Sequence, residues 1–486
     1  MFGGADSARI ALVNQAFVPP GMEIGQTGAH LPGLGLLMLA STIRETRPEL
    51  ADRIRYFDEE DLGEEGCVAS VRQWVSGGNP GIVMLTTYTL THHRQLSFAE
   101  EVRGPGIVVI AGGPHVTAHP ETSNADIVVR GEGVSAMRAL FFDDHASEVP
   151  ASAGICFSKT LEDGSRMWEL SPPSRKLRPE QWPNPSFAYD IIPKSVRHRA
   201  SSKRDMDGLE PMTIILSKGC PEACHFCSSG AQNGKWRTRS ISRFRDDLAF
   251  LLAHHDLEAL EFHDDDFLAH PEIDSLLDIV GGLGIPWNCY GRVDHFAENG
   301  LQLAKKLRKH GCRRMFLGLE SMDDSKLEFF NKRANSWMNR NAVMCCAAQG
   351  LEVAAGWIIG APGDTKVGLH SEFEKFLELP LNSLDVNILS LNPGAVLSKK
   401  LASGNMSLPV GQYGDSAATV PRGEIELLPD PDKFGALEPW GQPTVCDELA
   451  KSELNELASI FRGVIGDRFP SFTATKTLRA SGRVHN

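Results

Sequence analysis

The chain has no apolar stretch near the roughly 20 residues that a membrane-spanning helix needs. The nearest approach, Leu34-Gly35-Leu36-Leu37-Met38-Leu39-Ala40, is far too short. An excess of positive charge is missing too. A formal net charge of −13 argues against nonspecific binding to nucleic acid, which depends on Lys and Arg neutralising phosphates. Met1-Phe2-Gly3-Gly4-Ala5-Asp6 carries neither the charged start nor the apolar centre of a secretory signal, so a cytoplasmic protein is expected. There is no disulfide framework. Of ten cysteines, Cys67, Cys156, Cys289, Cys312, Cys345, Cys346 and Cys446 are scattered, mostly in apolar runs, and read as buried thiols in a reducing compartment. Internal repeats and low-complexity tracts are absent as well. What remains is an ordinary globular chain of 486 residues and 42% hydrophobic content, enough for two or three domain cores.

The other three cysteines stand together in Ser217-Lys218-Gly219-Cys220-Pro221-Glu222-Ala223-Cys224-His225-Phe226-Cys227, directly after the apolar run Thr213-Ile214-Ile215-Leu216. Soft thiolates suit iron–sulfur clusters, and three on one tight loop can hold three irons of a 4Fe–4S cluster. The fourth iron is then open, as a metal that does chemistry must be. A structural zinc knuckle that borrows a distant fourth Cys or His is the alternative at this point.

Residues 1–150 alternate short apolar runs with helix-like patterns, which predicts βαβ units and a doubly wound parallel sheet. The expected strands are Ile10 to Val13, Ile54 to Phe57, Ile82 to Leu85, Ile107 to Ile110 and Ile127 to Val129. Small or polar residues follow the last three: Thr86-Thr87-Tyr88-Thr89, Gly112-Gly113-Pro114-His115, and Arg130-Gly131-Glu132-Gly133. Ligands bind outside the carboxyl ends of strands in such sheets, and glycine lets a backbone approach a large ligand. Ordinary tight turns would explain any one of these loops alone. Prolines at 172, 173, 179, 183, 185 and 193 make residues 151–210 a connector.

Strand–helix alternation resumes over residues 211–395 for six rounds. Its expected strands are Met212 to Leu216, Ala259 to His263, Ile285 to Tyr290, Arg314 to Leu319, Val353 to Ile359 and Leu384 to Leu391. A partial (β/α)6 barrel follows, with its site at the carboxyl ends of the strands. Polar clusters fall there: His263-Asp264-Asp265-Asp266-Phe267, Tyr290-Gly291-Arg292-Val293-Asp294, Leu317-Gly318-Leu319-Glu320-Ser321 and Gly356-Trp357-Ile358-Ile359-Gly360-Ala361-Pro362-Gly363-Asp364. Adjacent carboxylates repel unless a cation or shared proton is present, and Asp266 could equally cap a helix. Arg292 offers a fork suited to a carboxylate, with an ion pair to Asp294 as the plain alternative. Residues 396–486 form a small extension expected to cap the barrel mouth, and Cys446 and Tyr413 lie in it.

The triplet, with its aromatic before the third cysteine, and the barrel-end motifs in this order resemble the radical S-adenosylmethionine (SAM) superfamily. The N-terminal loops, with Leu31-Pro32-Gly33-Leu34-Gly35-Leu36 opening a helix, resemble the cobalamin-binding domain that precedes many of its barrels. The resemblance implies an α/β fold: a Rossmann-like cobalamin-binding domain, then the partial barrel. It implies that Cys220, Cys224 and Cys227 hold the catalytic cluster and that SAM occupies the open iron. Phe226, Asp264, Asp265, Arg292, Glu320, Ser321, Gly360 and Pro362 become SAM-side candidates. Thr86, Thr87, Gly112, Gly113, His115, Gly131, Glu132 and Gly133 become cobalamin-side candidates. One departure is that D-x-H-x-x-G occurs nowhere, so no histidine is marked as a lower cobalt ligand. His115, His119 and His263 are merely near strand ends. The implied activity is methylation of a carbon centre of a small-molecule substrate through a 5′-deoxyadenosyl radical and methylcobalamin, fed by an electron donor such as flavodoxin or ferredoxin. Radical cyclisation or rearrangement is the alternative, as is a domain that has lost cobalamin.

Overall fold

The computed structural model describes residues 2, 6–16, 33–88, 91–141, 151–160, 166–197, 206, 208–392, 394–403 and 445–468. Leu31, Pro32, Thr89 and Tyr413 lie outside them. Among the described residues the chain divides into two compact units. The first runs to residue 197 and takes in Arg245–His255, and the second holds the remainder.

In the first unit, β1 (Arg9–Asn14), β2 (Ile54–Asp58), β3 (Gly81–Thr86), β4 (Ile107–Gly112) and β5 (Ile127–Val129) are parallel, in spatial order β2-β1-β3-β4-β5. Their runs are almost wholly apolar because helices cover both faces. On one face Cys67, Val71 and Val75 of helix Glu64–Val75 and Phe98 and Val102 of helix His92–Val102 close over Val13, Val83 and Val109. Helices Leu34–Thr46 and Gly133–Phe141 pack together elsewhere in the unit. Burial pushes the Cys67 thiol up to about 12, so it behaves as an inert apolar group. With this strand order the topological switch lies between β1 and β3, and a ligand crevice belongs at their carboxyl ends.

The stretch read as a connector contains two strands, β6 (Ile155–Thr160) and β7 (Arg166–Glu169), which add antiparallel to the β5 edge. β5 is only three residues long, and β6 covers its open backbone, as sheet edges require. Beyond them Trp182 is buried against Met38, Val134 and Leu177, which fixes the proline-rich segment to the unit.

The second unit is built on six parallel strands: β8 (Pro211–Ile214), β11 (Ala259–Phe262), β12 (Trp287–Gly291), β13 (Cys312–Glu320), β14 (Glu352–Ile359) and β15 (Ser383–Ile388). Each pairs with the next in sequence, and no pairing joins β8 to β15 among the described residues, so the barrel is partial. Between β8 and β11, β9 (Ser217–Lys218) and β10 (Arg237–Thr238) form a small antiparallel ladder. This ladder, which sequence patterning did not suggest, clamps the base of the cysteine loop. In the extension, helix Lys451–Arg468 packs against β15, and Phe461 stacks near Trp357 of β14 and Phe373 of helix Lys366–Leu377. Residues 404–444, on which the expected mouth-covering role largely rests, lie outside the described residues.

Candidate functional site

The cysteine loop leaves β9 through Gly219 at φ +84, a left-handed position that favours glycine. Its brace is the segment Phe329 to Arg333. The His225 N–H donates to the Phe330 carbonyl (2.8 Å), its Nδ1 lies 2.7 Å from the Phe329 carbonyl, and Asn331 Nδ2 donates to the Ala223 carbonyl (2.9 Å). Arg333 pairs with Glu222 at 3.5 Å. Phe226 meets Phe330 edge-on, with centroids 5.2 Å apart, and sits against Ile358, Leu389 and Leu391. The aromatic beside the third cysteine therefore anchors the loop in apolar core. Cys220, Cys224 and Cys227 are all free of disulfides. Burial pushes Cys220 up to about 12 and raises Cys227, so as free thiols they keep their protons until metal displaces them. Three soft donors on one braced loop fit an iron–sulfur cluster.

The three aspartates after β11 separate into three roles. Asp264 is fully buried and accepts from the backbone N–H groups of Leu216 and Ser217 and from Ser217 Oγ (2.6 Å). Burial outweighs those donors and raises it to about 7. Its carboxylate is thus committed to the turn between β8 and β9. Asp265 is exposed and accepts from Ser229 Oγ, just beyond Cys227. Asp266, buried, makes no cap bond and pairs instead with His295 Nε2 at 2.9 Å. Burial opposes charge on His295, but the Asp266 hydrogen bond and charge prevail and hold it above its ordinary value. Such a group stabilises the fold fully below its unfolded value near 6.5, and that contribution is lost as pH rises through the higher folded value. Asp266→Asn should therefore flatten the fall in stability above about pH 6.5, by roughly 1 kcal/mol, in melting curves taken across pH. An unchanged curve would mean the pair does not titrate this way.

Arg292 is buried and its fork is occupied. Nε donates to Asp294 Oδ1 (3.0 Å), Nη1 to Cys224 Sγ (3.6 Å), and Nη2 to the Lys332 carbonyl (2.7 Å). The expected arginine is at the site, then, but it faces a cysteine of the triplet. Glu320 ends β13 at φ +63, beside a register shift. Its carboxylate lies over Gly318 and Gly356: a Cβ added to Gly318 would come 2.5 Å from Glu320 Oε1 and 2.9 Å from Lys332 Nζ. Lys332 Nζ stands 3.3 Å from Glu320 Oε1. Lys332 was not legible from spacing, since a loop twelve residues on brings it back. Ser321 points elsewhere, donating to Glu372 in a buried network with Lys326 and Asp364. Asp364 also accepts from the N–H groups of Gly360 (2.8 Å) and Ala361 (3.0 Å), which shapes the turn carrying Pro362. His263 is exposed and edge-on to Tyr290, and Cys446 is buried with its thiol on the Asp364 carbonyl.

In the first unit Thr86 closes β3 opposite Gly112, and the Thr87 N–H donates to the Gly112 carbonyl (2.7 Å). Gly113 turns at φ +109 with a Cβ position only 2.7 Å from the Thr87 carbonyl oxygen. Buried polar atoms are left over at this end: both amide atoms of Gln15, Oγ1 of Thr87 and both ring nitrogens of His92 have no hydrogen-bond partner among the described residues. Such groups cost about 1–3 kcal/mol each, and a ligand that carries many amides and a phosphate, as cobalamin does, would relieve them. Burial, the largest cause, lowers His92 to about 4 and His115 to about 2, so these stacked rings, 4.0 Å apart, stay neutral. Gln15 and His92 were not singled out from sequence. At the third loop a Cβ on Gly131 would meet Ser174 Oγ at 2.7 Å, the Glu132 N–H donates to Ser174 Oγ (2.8 Å), its carboxylate accepts from Leu177 N–H (3.0 Å), and a Cβ on Gly133 would meet Leu39 at 2.8 Å.

Two family models match: the radical SAM superfamily over residues 214–394 and the B12 binding domain over residues 24–141. An uncharacterized methyltransferase of Pyrococcus horikoshii is 30% identical over 79% of this chain and 81% of its own length. The anaerobic magnesium-protoporphyrin IX monomethyl ester cyclase of Rubrivivax gelatinosus is 25% identical over 65% of this chain and 56% of its own. The radical SAM methyltransferase TsrM of Kitasatospora setae, solved with cobalamin and a 4Fe–4S cluster, shares the fold at TM-score 0.63 and 13% identity, covering 97% of this chain and 100% of that one. The geometry and these matches define a radical SAM enzyme. More narrowly, the chain belongs to the radical SAM proteins that carry an N-terminal B12-binding domain. No helix among the described residues is long and apolar enough to cross a membrane.

Proposed function

We propose that this chain transfers a methyl group to a carbon centre of a small-molecule substrate. The observation that carries the reading is that one chain joins a braced three-cysteine loop to a sheet crest whose orphaned polar atoms suit cobalamin. The cluster and cobalamin, when bound, supply the electron that cleaves SAM and the methyl group that is passed on. Cys220, Cys224 and Cys227 bind the cluster. Arg292 orients the Cys224 arm, the Gly360–Asp364 turn would offer backbone to SAM, and Phe226 keeps water from the inner edge of the loop. Thr86, Thr87, Gly113, Gln15 and His92 hold the cobalamin side.

The methyltransferase name of the Pyrococcus relative supports methylation. The cyclase among the relatives favours a second reading, radical cyclisation without net methyl transfer. A low-potential donor such as flavodoxin or ferredoxin supplies the electrons, and seven scattered thiols with an oxygen-sensitive cluster suit the cytoplasm. The test is anaerobic reconstitution with iron, sulfide and hydroxocobalamin, followed by metal analysis and incubation with methyl-labelled SAM and candidate substrates. About four irons and one cobalt per chain, with label entering product, are expected. Iron without cobalt would sink methyl transfer, and product without label would favour cyclisation.

A further inference from the structure

His225, between the second and third cysteines of the triplet, is held at every polar atom it has. Its N–H donates to the Phe330 carbonyl (2.8 Å), and its own carbonyl accepts from the Leu397 N–H (2.8 Å). Nδ1 lies 2.7 Å from the Phe329 carbonyl, which can only accept, so the ring proton sits on Nδ1 and Nε2 keeps its lone pair. Lys400 Nζ stands 3.3 Å from that Nε2 and 3.5 Å from Nδ1. An ammonium has donors alone, so Lys400 gives and the ring receives. Helix Val396–Ala402, the first element of the extension, is thereby tied to the cysteine loop at Leu397 and at Lys400. Leu397 also joins the apolar cluster that packs Phe226 and Phe330.

Lys400 differs from other cations beside this loop in having no counter-charge. Arg292 pairs with Asp294 (3.0 Å) and Arg333 with Glu222 (3.5 Å). Lys332, between the left-handed Asn331 (φ +50) and Arg333 (φ +55), pairs with Glu320 (3.3 Å). Opposite charges this close cancel much of each other's field at a distance. Among the described residues no carboxylate pairs with Lys400, whose ammonium rests on the imidazole alone. The side chain is half-buried, so water screens part of its field. The ring it touches, however, belongs to the residue next to Cys224 and two before Cys227. Net charge, hydrogen bonds to sulfur and solvent exposure set the reduction potential of an iron–sulfur cluster. A lone positive charge at this place favours the reduced state, which is the more negative one.

We propose that Lys400, acting through His225, raises the reduction potential of the cluster and so eases its loading with an electron; this rests on the triplet loop holding a 4Fe–4S cluster. The step it favours moves one electron and no proton: a reduced donor of the flavodoxin or ferredoxin class is oxidised and the cluster is reduced. Lys400 is a positioning residue, since it touches neither cluster nor substrate. The first helix of the extension thus serves the cysteine loop, where sequence alone suggests a cap over the barrel mouth.

The test is a reductive titration of anaerobically reconstituted full-length protein without SAM. Electron paramagnetic resonance reads the reduced cluster, and iron analysis reads its content. Lys400→Arg keeps the charge and should titrate close to the unaltered protein. Lys400→Met should lower the ratio of reduced to oxidised cluster at a fixed potential by about threefold to tenfold, tenfold being about 59 mV for a one-electron couple. Lys400→Glu reverses the charge and should lower that ratio by about tenfold to a hundredfold. A loss of packing alone would not scale with charge in this way. Midpoints unmoved in Lys400→Met and Lys400→Glu would overturn the assignment, and so would equal shifts in all three variants. Loss of iron from Lys400→Arg and Lys400→Met alike would overturn it too, because the residue would then hold the loop together and not tune it. Failure of the unaltered protein to hold iron would be a different result, counting against the proposed function.

Discussion

Cys224→Ala should abolish SAM cleavage while leaving a folded chain. The side chain removed is small and lies on a loop whose brace does not depend on it. The His225 N–H to Phe330, the Asn331 to Ala223 bond and the Phe226–Phe330 contact all remain. Arg292 loses the Cys224 sulfur but keeps Asp294 and the Lys332 carbonyl, so no buried guanidinium is stranded without partners. Stability should fall by only about 1 kcal/mol, within the range of an ordinary single substitution. Metal binding should change far more, because two thiols cannot satisfy three irons. Iron should drop from about four per chain to well under one after gel filtration, and SAM cleavage by more than about a thousandfold. The measurement pairs iron and sulfide analysis with production of 5′-deoxyadenosine, and a melting curve serves as the fold control. Retained iron with retained cleavage would remove Cys224 from the cluster and reopen the zinc-knuckle alternative.

What was legible in the sequence follows from which signals are local. Parallel strands covered on both faces leave near-continuous apolar runs, and Ile107 to Ile110 or Val353 to Ile359 could be drawn to within two residues of β4 and β14. The triplet was visible because its three ligands share one loop. Pairings between distant segments were not visible. The ladder of β9 with β10, and the hairpin of β6 with β7 on the β5 edge, depend on partners that composition does not announce. Asp264, Asp265 and Asp266 are chemically identical, and only backbone direction sends one to the β8 turn, one to solvent and one to His295. Lys332 depends on two left-handed residues and on the glycine at 318, a combination no linear motif encodes. Sequence likewise pointed to Arg292 at the end of β12 without the cysteine it faces, and to Glu132 and Gly133 without their contacts with Ser174, Leu177 and Leu39.

The second large effect belongs to the other unit. Gly113→Ala should sharply reduce cobalamin binding without touching the cluster. At φ +109 the residue sits where a side chain is strained, and its added Cβ would lie 2.7 Å from the Thr87 carbonyl oxygen and 2.8 Å from the Thr87 nitrogen. Both neighbours are backbone atoms at the end of β3, so neither can rotate aside. Either the Gly112 turn or the Thr87 end must shift. Such a shift would break the 2.7 Å bond from Thr87 N–H to Gly112 and the 3.1 Å bond from His115 N–H to the Thr87 carbonyl. Those bonds hold Thr87, with its unpaired Oγ1, at the β1–β3 switch beside Gln15. The conformational strain and the lost bonds together cost about 2–4 kcal/mol, which corresponds to a cobalamin affinity weaker by roughly thirtyfold to a thousandfold if the cost falls on the binding-competent form. Iron content should stay at about four per chain, because the triplet loop is braced wholly within its own unit. Cobalt and iron measured on the same gel-filtered sample decide the matter. Cobalt retained at the unaltered level would show that the cofactor does not depend on this turn, and loss of both metals would show a global folding defect instead of a local one.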